Sequence, residues 1–430
     1  MTVCVHGLGY IGLATAALFA NDAPEVTGYD IDESVRARLR AGDPDVGEPA
    51  FEAFVERALE GGLAVSDEPV PAEYHMVCVP TPYDHEGERA VLSAVKAASE
   101  TIADLVRPGD TVVVESTVPP GTTTGPVAHR LAASGLEPGA DLKLGYTPET
   151  VLPGNTVTEL RENDRIVGGV DRASTTAVRD LYGPVTSGRI HEAPDPTTAE
   201  FVKLAQNAAR DVEIAYANSL ALLADDYGVD ARAAIELANS HPRVDILDPG
   251  PGVGGHCLPV DPLFLGQDSA ETALIDAARA VNDLMPDHVV DRLATALGSL
   301  EGATVAVLGV TYKGNVRDTR NSPGLAIARR LSEDAVETPT GDDAPTPRAA
   351  TDGTGPAIDV RVFDPVLGVG SLADATDGAD AVVLAAAHDA FADLDPDRVA
   401  AALDRQVVVD PVDLLDHDRW RGHGFDVVTL

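Results

Sequence analysis

Residues 3–14 read Val-Cys-Val-His-Gly-Leu-Gly-Tyr-Ile-Gly-Leu-Ala, and this stretch decides the fold. The apolar run Val3–Val5 predicts a buried strand, and the pattern over Ile11–Ala20 predicts a helix. Three glycines lie at the junction: Gly7, Gly9 and Gly12. This spacing is typical of a strand, a tight turn and a helix that packs closely on the strand.

The alternation of strands and helices continues through the first part of the chain. Helical patterns separate the further strand candidates, which are Val26–Tyr29, Met76–Val79, Thr111–Glu115 and Lys143–Tyr146. Strands that alternate with helices favour a parallel sheet covered by helices on both faces. We therefore predict an α/β domain over residues 1–192.

The pattern changes in the middle of the chain. Pro196–Tyr227 predicts one long, alanine-rich helix, so residues 193–298 form a predicted helical domain and dimerisation layer. Strand–helix alternation returns in residues 299–430, apart from an aperiodic segment at 337–357 that predicts a mobile insertion. The predicted fold is α/β, with two doubly wound parallel-sheet domains joined by a central all-helical domain with a long spine helix.

Charge excludes several classes of partner. The chain has 430 residues, with 31 Lys and Arg against 70 Asp and Glu, a formal net charge of −39. A field of this sign repels phosphate backbones and anionic membrane surfaces, so we expect no nucleic-acid or membrane partner. Such an acidic chain with only four lysines indicates a halophilic protein from a cytosol of high salt, and ordinary drift toward an acidic composition is the alternative.

The cysteines and the N-terminus indicate a reducing compartment. Cys4, Cys78 and Cys257 are far apart and form no C-x-x-C pair, so neither a disulfide framework nor a metal site is predicted. No apolar run approaches the length of a membrane span, and the N-terminus lacks a charged leader. We expect a cytoplasmic location.

The first glycine loop predicts a dinucleotide site. Gly7 permits the tight turn, Gly9 lets a pyrophosphate approach the backbone, and Gly12 allows close helix packing. Tyr10 and Ile11 open the helix whose N-terminal amides favour phosphate. Asp30 closes the next strand, where its carboxylate would accept from a ribose hydroxyl and repel a 2′-phosphate, so NAD is the predicted cofactor rather than NADP.

Two further features suggest chemistry. Cys257 lies in a polar, glycine-rich loop, Gly254–Asp261, where a thiolate can be exposed; a buried structural thiol is the alternative. Lys203 and Asn207 are four residues apart and share one face of the long helix. A lysine that only extends its chain along the helix surface is the alternative there.

Seven segments together resemble the UDP-glucose/GDP-mannose dehydrogenase family. In chain order they are GLGYIGL, VPTP (79–82), ESTVPPGTT (115–123), TPETVLPG (147–154), the Lys203/Asn207 helix, PGPGVGGHC (249–257) and YKGNVRDTRNSP (312–323). The resemblance covers nearly the whole chain, and the segments around 241–257 are most similar to the UDP-N-acetylmannosamine dehydrogenases. It implies two Rossmann-like domains, an N-terminal one for NAD and a C-terminal one for a UDP-sugar.

The resemblance also implies an activity. Members of the family oxidise the C6 alcohol of a nucleotide sugar to a carboxylate with NAD, through a cysteine thioester, and supply uronic acids for surface polysaccharides. By the motif match Cys257 would be the nucleophile, Lys203 and Asn207 would stabilise oxyanions, and Asp261 would assist hydrolysis. The other residues that it assigns to catalysis are Glu149 and Thr117.

Binding residues follow from the same match. Pro80, Thr81 and Thr117 would line the NAD pocket beside the glycine loop. The UDP-sugar would contact residues from several segments: Glu149, Lys203, Asn207, Arg243, Gly254, Lys313 and Arg320. The expected substrate is UDP-N-acetyl-D-mannosamine, with UDP-glucose or UDP-N-acetylglucosamine as the alternative, and the expected assembly is a homodimer or a higher homo-oligomer.

Some residues depart from the family pattern, and other functions compete. Thr150 stands where the family commonly has arginine, and the insertion at 337–357 falls in the predicted UDP domain. Asp318 and Arg320 could be an ordinary surface ion pair. The competing functions are a two-electron hydroxyacid dehydrogenase, which would not need Cys257, and a nucleotide-sensing protein without catalysis.

Overall fold

The computed structural model describes residues 1–22, 25–332 and 357–430. The described chain divides into two compact units, one formed by residues 1–206 with 263–270 and the other by 207–262 with 271–430. Most of the predicted insertion, residues 337–356, lies outside the described residues. The domain boundaries at 192 and 298 stay a prediction.

The first unit is built on an eight-stranded sheet, ordered β10-β9-β8-β7-β4-β1-β2-β3. A separate two-stranded hairpin is formed by β5 and β6. The strands are β1 (Val3–His6), β2 (Val26–Tyr29), β3 (Leu63–Ser66), β4 (Tyr74–Val77), β5 (Tyr83–Asp84), β6 (Arg89–Ala90), β7 (Thr111–Val114), β8 (Lys143–Tyr146), β9 (Arg165–Gly169) and β10 (Ile190–Glu192).

The order of the main sheet confirms the doubly wound prediction. From β3 through β8 the strands are parallel, and the order reverses beside β1, which creates the crevice where such sheets bind dinucleotides. Two strands differ from an all-parallel sheet, because β9 runs antiparallel to β8 and β10 runs parallel to β9. The helix before β9 has only seven residues, and the chain returns beside β8 without a full crossover.

Helices cover both faces of this sheet. The helices of the first unit are α1 (Tyr10–Asp22), α2 (Glu33–Arg40), α3 (Pro49–Gly61), α4 (Ser93–Ala103), α5 (Ala128–Leu131), α6 (Thr156–Glu162) and α7 (Arg172–Tyr182). The helix α1 buries Leu13, Leu18 and Phe19 in the core with Phe51 and Phe54 of α3. The side of the sheet around β7 forms a second core. Burial on both sides explains the near-continuous apolar strands.

Four helices follow in the middle of the chain: α8 (Pro196–Tyr227), α9 (Ala231–Asn239), α10 (Cys257–Gly266) and α11 (Ala273–Leu297). The long helix is confirmed at its predicted bounds. The helix α10 was not predicted, since Cys257 is expected in a loop and two prolines follow it. Pro259 is tolerated because amides in the first helical turn have no intrahelical partner.

The second unit contains a five-stranded parallel sheet, ordered β12-β11-β13-β14-β15. Its strands are β11 (Thr304–Leu308), β12 (Asp359–Phe363), β13 (Ala381–Leu384), β14 (Val407–Val409) and β15 (Asp426–Val428). Its helices are α12 (Pro323–Leu331), α13 (Leu372–Thr376), α14 (Asp389–Ala392), α15 (Pro396–Ala402) and α16 (His417–Gly422). Apolar cores lie on both faces, so this sheet is also doubly wound. None of the described helices is both long and apolar enough to span a membrane.

Candidate active site

The first glycine loop has the geometry of a nucleotide cradle. Gly7 has φ +92°, and a Cβ there would lie 2.5 Å from the carbonyl oxygen of Cys78, so no other residue fits. A Cβ on Gly12 would lie 2.0 Å from the carbonyl oxygen of Gly7. A Cβ on Gly9 would meet nothing within 4 Å, so its backbone faces open space. A pyrophosphate can therefore approach the loop at Gly9.

The residues around that loop suit NAD. Tyr10 and Ile11 form the first turn of α1, whose N-terminus faces the loop. The Asp30 carboxylate is half-buried and accepts hydrogen bonds from the amides of Leu8, at 2.7 Å, and Asp32, at 2.9 Å. These bonds hold a negative group beside the loop, in the place where a ribose hydroxyl would bind.

Two loops after neighbouring strands carry the other predicted cofactor residues. Pro80 and Thr81 follow β4, and Thr117 follows β7. The Thr81 hydroxyl donates to the Thr117 carbonyl oxygen at 2.7 Å, which joins the two loops. The carboxyl ends of parallel strands form the binding edge of such sheets. The structure thus brings this predicted set to one edge of the sheet.

The predicted nucleophile begins a helix. Cys257 is the first residue of α10 and is exposed. A helix N-terminus favours negative charge and so favours the thiolate, the reactive form of cysteine. Burial, and then the charge of Arg320, lower the pKa of the neighbouring His256. The structure therefore presents Cys257 as an exposed thiol rather than as a buried one.

Two helices hold the other predicted catalytic groups. Asp261 lies one turn after Cys257 on α10 and is 2% exposed. Its carboxylate accepts a hydrogen bond from the Asn207 side-chain amide at 2.6 Å. Lys203 lies one turn before Asn207 on α8 and is 7% exposed, so it is not a solvated surface lysine. Within the described residues, no hydrogen bond or ion pair holds its ammonium group.

The C-terminal segment meets the cysteine loop. The Gly255 amide donates to the Arg320 carbonyl oxygen at 2.8 Å, and the Asn321 side chain donates to the Gly255 carbonyl oxygen. Gly254 has no room for a side chain, because a Cβ would lie 2.6 Å from the Asn321 carbonyl oxygen. The Arg320 guanidinium pairs with Asp318 at 2.6 Å. The ion pair considered above is thus present beside the nucleophile loop.

Two predicted substrate residues lie in exposed segments of the second unit. Lys313 follows β11 in the turn 311–315, and Arg243 lies in the loop after α9. Both side chains are exposed, and neither forms an ion pair within the described part of the chain. Both are therefore available to an anionic ligand.

Glu149 belongs to a buried network that the sequence did not reveal. Its carboxylate pairs with Arg165 at 2.8 Å, and Arg165 also lies 3.8 Å from Glu115. Glu115 accepts hydrogen bonds from the hydroxyls of Thr15 and Tyr182, both at 2.7 Å. Burial, and then the charge of Glu149, raise the pKa of Glu115. Glu149 is therefore a buried, paired carboxylate.

Glu200 is a second residue that the sequence analysis missed. It lies one turn before Lys203 on α8, is fully buried and accepts from the amides of Gly121, at 2.6 Å, and Thr123, at 2.8 Å. Burial raises its pKa from 4.5 to about 7, although these hydrogen bonds oppose the shift. Glu200 thereby ties α8 to the loop that carries Thr117.

The substitution Glu200→Gln is expected to change how stability depends on pH. Because folding raises this pKa, the contribution of Glu200 is present below pH 4.5 and is lost as the pH rises through about 7. The wild-type free energy of unfolding should fall across that range by about 3 kcal/mol relative to the variant. Denaturant unfolding of both proteins at each pH measures the difference. Parallel pH curves would contradict it.

Three family models match successive parts of this chain, and all three describe domains of the same family. Residues 1–186 match the NAD binding domain of the UDP-glucose/GDP-mannose dehydrogenase family, residues 197–284 its central domain and residues 306–417 its UDP binding domain. A UDP-N-acetyl-D-mannosamine dehydrogenase of Methanocaldococcus jannaschii is 37% identical over 434 residues, which is 100% of this chain and 96% of that protein.

Solved structures agree with this match. The structure of a UDP-D-ManNAc dehydrogenase from Pyrococcus horikoshii has a TM-score of 0.88 and 36% identity, over 100% of this chain and 99% of that one. A UDP-glucose dehydrogenase from Pyrobaculum islandicum has a TM-score of 0.81 and 28% identity, over 100% and 96%. The predictions of fold class, family and NAD as cofactor are confirmed. The chain belongs to the UDP-glucose/GDP-mannose dehydrogenase family and is an NAD-dependent UDP-sugar dehydrogenase.

Proposed function

We propose that the protein oxidises C6 of UDP-N-acetyl-D-mannosamine to the carboxylate in two successive steps, through a thioester on Cys257. One observation carries this proposal. The Asp261 carboxylate, one turn after Cys257 on α10, accepts a hydrogen bond from Asn207, and Asn207 lies one turn after Lys203 on α8. This group of four residues supplies a nucleophile, a base and two oxyanion-stabilising groups.

The residues of the glycine loop, with Asp30, Thr81 and Thr117, would hold NAD. Each of the two oxidations would use one NAD⁺ as the hydride acceptor, so that two NAD⁺ are consumed for each sugar. In the first oxidation the C6 hydroxyl loses its proton to a base, and Glu149 or a water held by Thr117 takes that proton. The developing oxyanion is stabilised by the Lys203 ammonium and the Asn207 amide.

The second oxidation depends on Cys257. An aldehyde carbon cannot readily lose a second hydride, so the thiolate sulfur first adds to it and leaves an alkoxide on C6. Lys203 and Asn207 stabilise that alkoxide, and loss of hydride then gives the thioester. Water attacks the thioester carbonyl and gives its proton to Asp261, and the C–S bond breaks to return the Cys257 thiolate and the carboxylic acid product.

The sugar follows from the relatives rather than from the catalytic group. The Methanocaldococcus jannaschii and Pyrococcus horikoshii proteins, both named for UDP-N-acetyl-D-mannosamine, cover this chain almost completely. The similarity to the UDP-glucose dehydrogenase is lower, at 28% identity. Lys313, Arg320 and Arg243 would contact the UDP-sugar, where an arginine can bind a phosphate through two hydrogen bonds.

A substrate panel tests the choice of sugar. Initial rates with UDP-N-acetylmannosamine, UDP-N-acetylglucosamine and UDP-glucose should be compared in multimolar KCl, which screens the charge of −39. We expect kcat/KM for UDP-N-acetylmannosamine to exceed the others by at least about 100-fold, because one small group in a binding pocket already changes kcat/KM by about 10- to 200-fold. A preference for UDP-glucose would assign the protein to the alternative substrate.

The helical region supports a homodimer. An apolar groove lies between α8 and α9, and large side chains along it are exposed, with Leu223 at 52% and Tyr227 at 80%. Other groove residues are Tyr216, Leu220, Ile235 and Ile246. Monomers rarely leave an apolar surface of this kind in water. A second copy of the chain would cover it, continuing the predicted dimerisation layer.

Leu223→Glu is expected to convert that dimer to a monomer. A carboxylate in the buried centre of an interface costs about 2 kcal/mol or more, which shifts the dissociation constant at least about 30-fold. Light scattering after size exclusion measures the mass. The matched control is Leu274→Glu, another leucine that is 69% exposed but lies outside the groove. Equal masses for all three proteins would contradict the assigned face.

A further inference from the structure

A buried histidine of the second unit contacts the turn that carries Lys313. The His388 side chain is fully buried, and its Nδ1 accepts a hydrogen bond from the Asn315 amide at 2.9 Å. Because Nδ1 accepts this bond, the ring N–H lies on Nε2. Nε2 is 3.2 Å from the Asp364 carboxylate and 3.1 Å from the Thr311 hydroxyl. One imidazole thus holds both ends of the turn 311–315.

Asp364 fixes the start of the same turn. Its carboxylate accepts hydrogen bonds from the amides of Val310, at 2.7 Å, and Thr311, at 3.1 Å. Burial opposes its ionisation, but the hydrogen bonds from His388, Val310 and Leu367 hold its pKa at about 2. Asp364 ends the second strand of its domain as Asp30 does in the first unit. Unlike Asp30, it is 0% exposed, so it holds protein rather than ligand.

The turn also lies against the backbone before His388. A Cβ on Gly314 would be 1.9 Å from the Ala387 carbonyl oxygen, so the turn contacts that backbone directly. Asn315 has φ +61°, and its side-chain oxygen accepts from the Asp389 amide at 3.2 Å. The position of Lys313 is therefore set by contacts on both sides of His388.

The turn 311–315 also supports the loop that precedes Cys257. A Cβ on Gly255 would lie 2.9 Å from the Tyr312 ring, and one on Gly254 would lie 2.7 Å from the Tyr312 Cβ. Cys257 follows two residues later and raises the pKa of Tyr312, after the larger effects of burial and Asp318. A shift of the turn would consequently move Tyr312, and with it the loop and the thiol.

We propose that His388 is a positioning residue that places both Lys313 and the Cys257 loop through the turn 311–315. The contacts of His388 do not depend on any assigned function, whereas the roles of Lys313 in binding and of Cys257 in catalysis rest on the proposed function. The required group is the Nδ1 acceptor for the Asn315 amide. Loss of this acceptor leaves a buried amide without a partner and loosens the turn.

Two substitutions separate the two nitrogens of the ring. His388→Asn keeps an oxygen near the position of Nδ1, whereas His388→Gln keeps a polar group near Nε2 and loses the acceptor. For the glutamine variant we expect UDP affinity to fall about 10-fold, as for one lost buried hydrogen bond. The iodoacetamide alkylation rate of Cys257 should change with it. The asparagine variant should stay near wild type in both, and NAD affinity should be unchanged in all three proteins.

The outcomes are distinct. Calorimetric titration measures the UDP affinity of each protein, and alkylation measures the reactivity of Cys257. The positioning role would be overturned if wild type and His388→Gln had the same UDP affinity and the same alkylation rate. If that variant does not fold, His388→Asn, which keeps an acceptor for the Asn315 amide, carries the test, and a UDP affinity or Cys257 alkylation rate that departs from wild type in this variant would overturn the role. Failure of the proposed function would appear differently, as a wild-type protein that forms no NADH from UDP-sugars, and it leaves the alkylation comparison intact.

Discussion

Cys257→Ser is expected to lower the rate of the second oxidation by about 1,000-fold or more, as in other enzymes that lose their nucleophile. A serine hydroxyl at the start of α10 is a far weaker nucleophile than a thiolate, so the aldehyde carbon seldom becomes tetrahedral. The first oxidation needs no thiol and should be affected much less. Stopped-flow measurement of NADH with the UDP-sugar, and then with the aldehyde supplied directly, separates the two steps.

The control for this substitution is another cysteine. Cys4 is fully buried in β1 and has no role in the proposed chemistry, so Cys4→Ala should keep activity within about threefold, as expected for a small core change. A Cys257→Ser protein that oxidised the aldehyde at the wild-type rate would rule out the thioester. It would instead favour a two-electron dehydrogenase.

Lys203→Met is the second substitution for which we expect a large fall in kcat. Methionine keeps an unbranched side chain on α8 but removes the ammonium group, so the alkoxides formed in both oxidations lose a charged partner. Loss of one such group costs about 100- to 1,000-fold in kcat. Because the stabilisation is needed in the transition state, kcat should fall while KM for the UDP-sugar changes little.

Lys96→Met is the matched control for that prediction. Lys96 is one of the other three lysines and lies on α4, apart from the catalytic group. Its loss should leave kcat within about twofold, as for most surface substitutions. If Lys203→Met raised KM and left kcat unchanged, Lys203 would be a binding group that acts equally on ground state and transition state.

Local patterns were enough to predict the main features of the fold. The glycine loop and the apolar strands gave the doubly wound sheets, and the long helix lies at Pro196–Tyr227 as predicted. Strand direction was harder. The antiparallel β9 depends on how the segment between β8 and β9 returns, and no pattern within β9 carries that information. The helix at Cys257 was missed because Pro259 and Pro262 suggest a loop.

The residues of the candidate site that lie within sequence motifs could be predicted. The sequence indicated Cys257, Asp261 and Asn207, and the structure places the last two in hydrogen-bond contact. It could not indicate Arg165, Glu200 or His388, because nothing in a single sequence tells whether a charged or polar residue is buried. The only local signals were Glu115 at the end of an apolar strand and Glu200 one turn before Lys203.

The most direct test of the proposed mechanism counts the electrons that each sugar transfers to NAD. A limiting amount of UDP-N-acetylmannosamine is converted to completion by wild-type protein in multimolar KCl, and the NADH formed is measured against the sugar consumed. The four-electron mechanism through Cys257 predicts a ratio of two, with the uronate as product. A ratio of one, with the aldehyde as product, would contradict the thioester and with it the central claim.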